Sequence, residues 1–249
     1  MSAWPIACGL WDFDDLHASE ERLRTQLELE QTDAGRAEVL TQLARVEGLF
    51  GDFDASERLL QTAEGLAGSS AVARARVELE RGRMLRSSGH AEASLALFES
   101  AFARACESQA YFLAADAAHM AAIADPARML EWTERGLGVA DSESDAAYWA
   151  GPLLNNLGWH YYERAEYEPA LAAFQRALSA RERDPDRPYE IEVARYAVGK
   201  APRALGRPHE AVALLERAVA WAEANGTHDA YFQEELAEIY RALDERGRP

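Results

Sequence analysis

The feature that most constrains this chain is a pair of matched stripes between Leu154 and Leu178. Leu154, Leu157, Gly158 and Tyr161 recur at i, i+3, i+4 and i+7, so they share one face of a helix, with glycine where a second helix must come close. Glu163 to Glu166 form a short polar connection. Tyr167, Ala170, Phe174 and Ala177 then repeat at three- and four-residue steps, so a second helix turns a small and large alternation back onto the first. The spacing predicts a helical hairpin with a built-in point of closest approach.

The same pattern recurs along the chain. A first hairpin runs from about Asp33 to Leu66, with Leu40, Leu43 and Ala44 on one stripe, a turn at Gly51-Asp52-Phe53, and Leu60 and Ala63 returning. A second spans about Ser70 to Cys106, with Gly82, Leu85, the Gly89 turn, Leu95, Phe98 and Ala101. The third, Gln109 to Ala140, is degenerate: an Ala-rich helix, a clipped Asp125-Pro126 connection, then Met129, Leu130, Trp132 and Leu137. A fifth follows the break Asp184-Pro185-Asp186-Arg187-Pro188 and carries Gly199, the Gly206 turn, Ala211, Leu215 and Ala218, with a kink or early end expected at Pro202. The small-residue slots Ala44, Gly82, Gly158, Gly199 and Ala237 are separated by 38, 76, 41 and 38 residues, and 76 is twice 38, leaving room for the weak third unit. Residues 11–31 read as an N-terminal capping helix and 228–246 as a C-terminal one, carrying Leu236, Ala237, Tyr240 and Leu243.

Leucine-glycine-tyrosine at Leu154, Gly158 and Tyr161, followed by alanine-phenylalanine-alanine at Ala170, Phe174 and Ala177, resembles the tetratricopeptide repeat. A period near 38 exceeds that repeat's usual value of about 34, so longer helices or wider loops are expected. The stretches WAGPLLNNLGW and EELAEIYRAL are also similar to a group of bacterial tetratricopeptide proteins, over roughly residues 145–249. The expected architecture is all-α: a right-handed α-solenoid of about five hairpins spanning 33–225, between two capping helices, as a single domain over 1–249.

The resemblance implies that first helices line a concave groove and that residues offset from the packing stripe point into it. Carried onto this sequence, it places Arg45, Arg83, Arg86, Asn155, Trp159, Tyr162, Tyr196, Lys200 and Arg203 in that groove, beside Leu79. Guanidinium groups near Trp159 and Tyr162 suit a carboxylate-bearing peptide through charge-assisted hydrogen bonds and aromatic contact. Alternatively, these cations pair with Glu38, Glu78, Glu80, Glu234 and Glu238 on neighbouring first helices. Lys200 is the only lysine in the chain. The pair Asn155-Asn156 is similar to the asparagines that hold a peptide backbone in peptide-binding members of the family, though Gln42 and Arg45 stand where those members place further contacts.

Other readings compete. Trp4, Trp11 and Phe13, or Tyr231 and Phe232, could stack on a second subunit as a homodimer. Asp116 and His119, three residues apart on the Ala-rich helix, could orient an imidazole and mark a small-molecule or catalytic pocket with Trp159 and His160. Two such groups lack a third ligand at a recognised spacing, so no metal is expected. No phosphate-cradling glycine loop, HExxH or serine elbow occurs, so neither enzyme activity nor a cofactor is expected.

A net charge of −17 argues against general affinity for nucleic acid or an anionic membrane. Cys8 and Cys106 carry no metal spacing or disulfide framework, which fits a reducing cytosol, and the N-terminal stretch reads as neither signal nor span. A cytoplasmic protein with a protein or peptide partner is expected.

Overall fold

A computed structural model describes residues 9–142, 144–227 and 229–247, with side chains as far as residue 244. Among the described residues every regular element is helical. The chain divides into two compact units, one ending at Trp149 and one starting at Ala150.

The first unit opens with α1 (Leu16–Leu29), whose N-terminus is capped by the Asp15 side chain accepting from the Ala18 N–H. Three hairpins follow: α2 (Asp33–Phe50) with α3 (Phe53–Ala67), α4 (Ala71–Ser87) with α5 (Ala91–Glu107), and α6 (Tyr111–Ala124) with α7 (Met129–Ala140). Thr32, Asp52 and Ser70 cap α2, α3 and α4 in the same way. First helices lie beside one another, α2 on α4 and α4 on α6, while α3 also packs on α4 and α5 on α6. The second unit holds α8 (Ala150–Glu163) with α9 (Tyr167–Arg181), α10 (Pro188–Ala204) with α11 (Val212–Ala224), and α12 (Ala230–Gly247). The expected hairpins are all present. α8 begins a turn before Leu154, and the long period is taken up by helices, 18 residues in α2 and 17 in α4 and α10, while the loops stay short.

Close approach is set by one small residue on each first helix. A Cβ on Gly158 would stand 2.4 Å from the Phe174 ring, one on Gly82 2.5 Å from Phe98, and one on Gly199 2.8 Å from Leu215. Each partner is fully buried, and in the first hairpin Ala44 packs with Leu60 in the same relation. Slot and partner are sixteen residues apart in all four hairpins. The third differs because its connection is clipped: Trp132, also fully buried, packs edge-on to Phe102 at 5.7 Å.

The slot assigned to Ala237 is a correction. Ala237 is exposed, and the buried stripe of α12 is Phe232, Glu235 and Ile239. Ile239 packs on Ala211 and Leu215. A large residue, not a small one, therefore fills this site on α12. The early end expected at Pro202 does not occur: α10 runs through it to Ala204, five residues past its slot, as α4 and α8 also end five past theirs. The Pro202 carbonyl accepts from the Arg207 N–H at 2.8 Å.

That bond is one half of a turn used repeatedly. The N–H groups of Asp52, His90, Glu166 and Arg207 each reach back to the carbonyl five residues earlier, across a residue with positive φ. That residue is Gly51, Gly89 and Gly206 in three turns but Ala165, at φ 59°, in the fourth. A Cβ costs roughly 1–2 kcal/mol there. Ala165→Gly is therefore expected to stabilise the chain by about 0.5 kcal/mol after the added unfolded-state entropy is offset. Gly158→Ala gains helix propensity but forces the Phe174 ring to shift, for a net loss of about 1–2 kcal/mol. Urea unfolding of the two variants should move the midpoint in opposite directions.

Candidate ligand-binding site

Four of the cations and aromatics read from the sequence stand one residue past a slot: Arg45, Arg83, Trp159 and Lys200. Arg86, Tyr162 and Arg203 stand four past. Helix geometry puts both sets on the flank of the packing stripe.

In the first unit this brings Arg45, Arg83 and Arg86 around one cavity of about 140 Å³ between α2, α3, α4 and α6, with Gly48, Met84 and Met120 among its lining. The three arginines differ in what they touch. Arg83 forks between Glu80 on its own helix and the buried Asp116 on α6. Burial works against its charge, but Asp116 and Glu80 more than offset this and hold Arg83 above the usual guanidinium range. Arg45 has no carboxylate within ion-pair distance among the described residues. It lies against the Trp11 and Phe13 rings, at 5.3 and 5.6 Å from their centroids, and those rings stack at 5.0 Å. The Trp11 indole N–H donates to Gln42 Oε1 at 3.1 Å, fixing the ring. Burial, then the neighbouring Arg83 charge, push Arg45 below its ordinary range. Arg86 is exposed and makes no ion pair among the described residues.

In the second unit Trp159 is the hub of an aromatic cluster, with ring centroids 5.1 Å from Phe174, 5.5 Å from Tyr162 and 6.4 Å from Tyr196. Tyr196 in turn meets Phe232 at 5.6 Å. Asn155 is half-buried on α8. The basic residues here are spoken for: Lys200 Nζ donates to Glu235 Oε2 at 2.7 Å, and Arg203 donates to both Glu235 oxygens. The Glu235 side chain is only 3% exposed. Burial raises its pKa, yet the hydrogen bonds from Arg203 and Lys200 win and hold it below the usual carboxylate range.

Several readings are corrected by this geometry. Glu234 and Glu238 are not the partners of the α10 cations; Glu235 is, and Glu238 pairs with Arg241. Moving the α12 slot from Ala237 to Ile239 is the signal that would have turned Glu235 inward. Trp11 and Phe13, read as a stacking surface, serve as the wall behind Arg45, although Phe13 remains 61% exposed. Phe232, read with Tyr231 as an end patch, is buried, while Tyr231 is exposed. Trp4, Cys8 and His228 lie outside the described residues. The Asp116 carboxylate is held by Arg83, and the His119 ring lies against Trp149 at 5.2 Å. Both belong to the first unit, whereas Trp159 and His160 belong to the second. Among the described residues no group of three His, Cys, Asp or Glu is placed to hold a metal, and no helix is long and apolar enough to cross a membrane.

The sequence model of the tetratricopeptide repeat matches residues 153–183. Among solved structures, BtubC (BKLC) from P. vanneervenii is similar at a TM-score of 0.62 and 19% identity, over 92% of this chain and 94% of that one. The TPR-like repeats of a kinesin light chain from Podosopora anserina align at 0.57 and 17%, over 78% and 99%. The assembly chaperone of RpL4 (Acl4) aligns at 0.52 and 15%, over 99% and 97%. At these identities the likeness is one of fold. No curated protein matches the chain.

The depressed Glu235 carboxylate makes stability depend on pH. A carboxylate with a depressed folded pKa contributes stability that is present above the unfolded carboxylate range and lost as pH falls through the folded value. Its cations reach solvent, which screens the pair, so Glu235→Gln should cost about 1–2 kcal/mol at neutral pH. Melting temperature measured against pH should show a shallower acid limb in the variant than in the parent.

Proposed function

We propose that this chain, a tetratricopeptide-repeat protein by its matched unit and its fold, is a binding scaffold whose first-helix face takes a protein or peptide ligand. The ligand is an acidic segment or one with a free C-terminus. One observation carries the reading: among the described residues, and of the cations that the repeat pattern assigns to this face, Arg45 and Arg86 have no carboxylate within ion-pair distance, while Arg83, Lys200 and Arg203 have one. A charge left unpaired beside aromatic rings favours an anionic partner, because charge-assisted hydrogen bonds to a guanidinium are stronger than neutral ones. In the second unit Trp159, Tyr162 and Tyr196 would contribute aromatic contact and Asn155 a hydrogen bond, with Lys200 and Arg203 acting mainly to hold Glu235. The scaffold is non-catalytic and works in the cytoplasm.

Fluorescence polarisation against a set of acidic peptides with free C-termini tests this. Arg86→Glu reverses an exposed charge without touching the core, and Trp159→Ala trims the aromatic hub. Each should weaken peptide binding roughly tenfold, about 1.4 kcal/mol, with Arg86→Glu leaving the helical circular dichroism unchanged. Equal affinity of the parent for acidic peptides and their amide-substituted counterparts would remove the reading.

A further inference from the structure

We propose that the cavity between α2, α3, α4 and α6 is a site for a small free monocarboxylic acid with a compact apolar body, held by the same Arg45 and Arg86 on which the proposed peptide face rests. Size, charge and the character of the rim each point the same way.

The cavity is about 140 Å³. An engineered apolar cavity of about 150 Å³ takes benzene, so a body of about six carbon atoms fits. Its apolar wall is supplied by Ala44, Leu49, Met84 and Met120, two of them methionines that adapt to irregular shapes. Gly48 leaves space: a Cβ there would meet nothing closer than the Ser56 hydroxyl at 3.8 Å. That hydroxyl already donates to the Ala44 carbonyl at 2.8 Å and is not waiting for a ligand.

Charge is unbalanced at the mouth. Arg45, Arg83 and Arg86 face Glu80 and, behind it, Asp116, so three guanidinium groups meet two carboxylates and one positive charge is left over. Arg83 is the group that consumes both carboxylates, which leaves Arg45 and Arg86 for the ligand. Arg45 is held in place by Trp11 and Phe13, so its fork is ordered before anything binds. The excess of one charge matches a monoanion.

The rim offers no side-chain amide to pair with a peptide backbone; its neutral polar groups are the Ser56 and Ser87 hydroxyls. From Met1 to Trp149 the sequence contains no asparagine, and the glutamine nearest Arg45, Gln42, accepts from the Trp11 indole. A free acid asks only for a cation and an apolar wall, and both are present.

The test is isothermal titration of the whole chain with 4-methylpentanoate, 4-methylpentanamide and acetate, and of Gly48→Leu and Arg45→Gln with 4-methylpentanoate. Gly48→Leu fills the cavity, improves helix propensity and leaves every charge in place, so it should fold with a melting temperature no lower than the parent's. Saturable binding of 4-methylpentanoate is expected. The amide and acetate should bind at least roughly tenfold more weakly, Arg45→Gln should weaken the acid roughly tenfold, and Gly48→Leu should abolish it. Equal binding of acid and amide, unchanged binding by Gly48→Leu, or no saturable heat at millimolar acid overturns the proposal. Acidic peptides that bind the parent and Gly48→Leu equally, with no binding of the free acid, would overturn it while leaving the peptide reading intact. Acid binding without peptide binding would do the reverse.

Discussion

The fit of one side chain from each second helix into one small slot on its first helix is the contact on which the other features of this molecule rest. Phe174 over Gly158, Phe98 over Gly82, Leu215 over Gly199 and Leu60 against Ala44 each fix how near two helices come and at what rotation. Rotation matters as much as distance. Once the slot faces inward, the residues one and four positions later must emerge on its flank, so the register of a buried contact decides which side chains are offered to a ligand. Glycine lies under both phenylalanine rings, whereas the two leucines differ: Leu215 sits over Gly199 and Leu60 against Ala44.

Charge on that flank is distributed by a second rule. A buried carboxylate needs cations, and the chain places Glu80, Asp116 and Glu235 where they draw Arg83, Lys200 and Arg203 out of the solvent-facing inventory. These pairs tie α4 to α6 and α10 to α12. Their net contribution to stability is modest, because desolvation offsets most of the attraction. They also decide which cations stay free: among the described residues, and of the cations the repeat pattern assigns to this face, only Arg45 and Arg86 have no carboxylate within ion-pair distance.

The hairpins were legible because their signal is local: three- and four-residue stripes, a turn residue seven positions after each slot, and a polar cap before most first-unit helices. What depended on a partner from another helix was less so. Ala237 satisfied the 38-residue spacing and was still wrong, since spacing alone cannot say which face of α12 meets Ala211 and Leu215; Ile239 fills the place instead. The same two-residue slip hid Glu235 and with it the fate of Lys200. The cavity had no sequence signal, because it arises where three residues 36 positions apart, Gly48 on α2, Met84 on α4 and Met120 on α6, fail to fill the space between their helices.

A net charge of −17 bears on how an anion could reach Arg45 and Arg86. At physiological ionic strength the summed negative field is screened beyond about 8 Å, so a small acid feels little repulsion until it is near the surface. Within that distance two guanidinium groups and the Trp11 and Phe13 rings dominate. A long acidic segment is different: its charges outside the pocket still lie over an acidic surface, and each extra carboxylate adds repulsion that the two arginines do not balance. The same field therefore tolerates one compact anion at this mouth more readily than a run of them, and a peptide ligand must gain compensating contact beyond the two arginines.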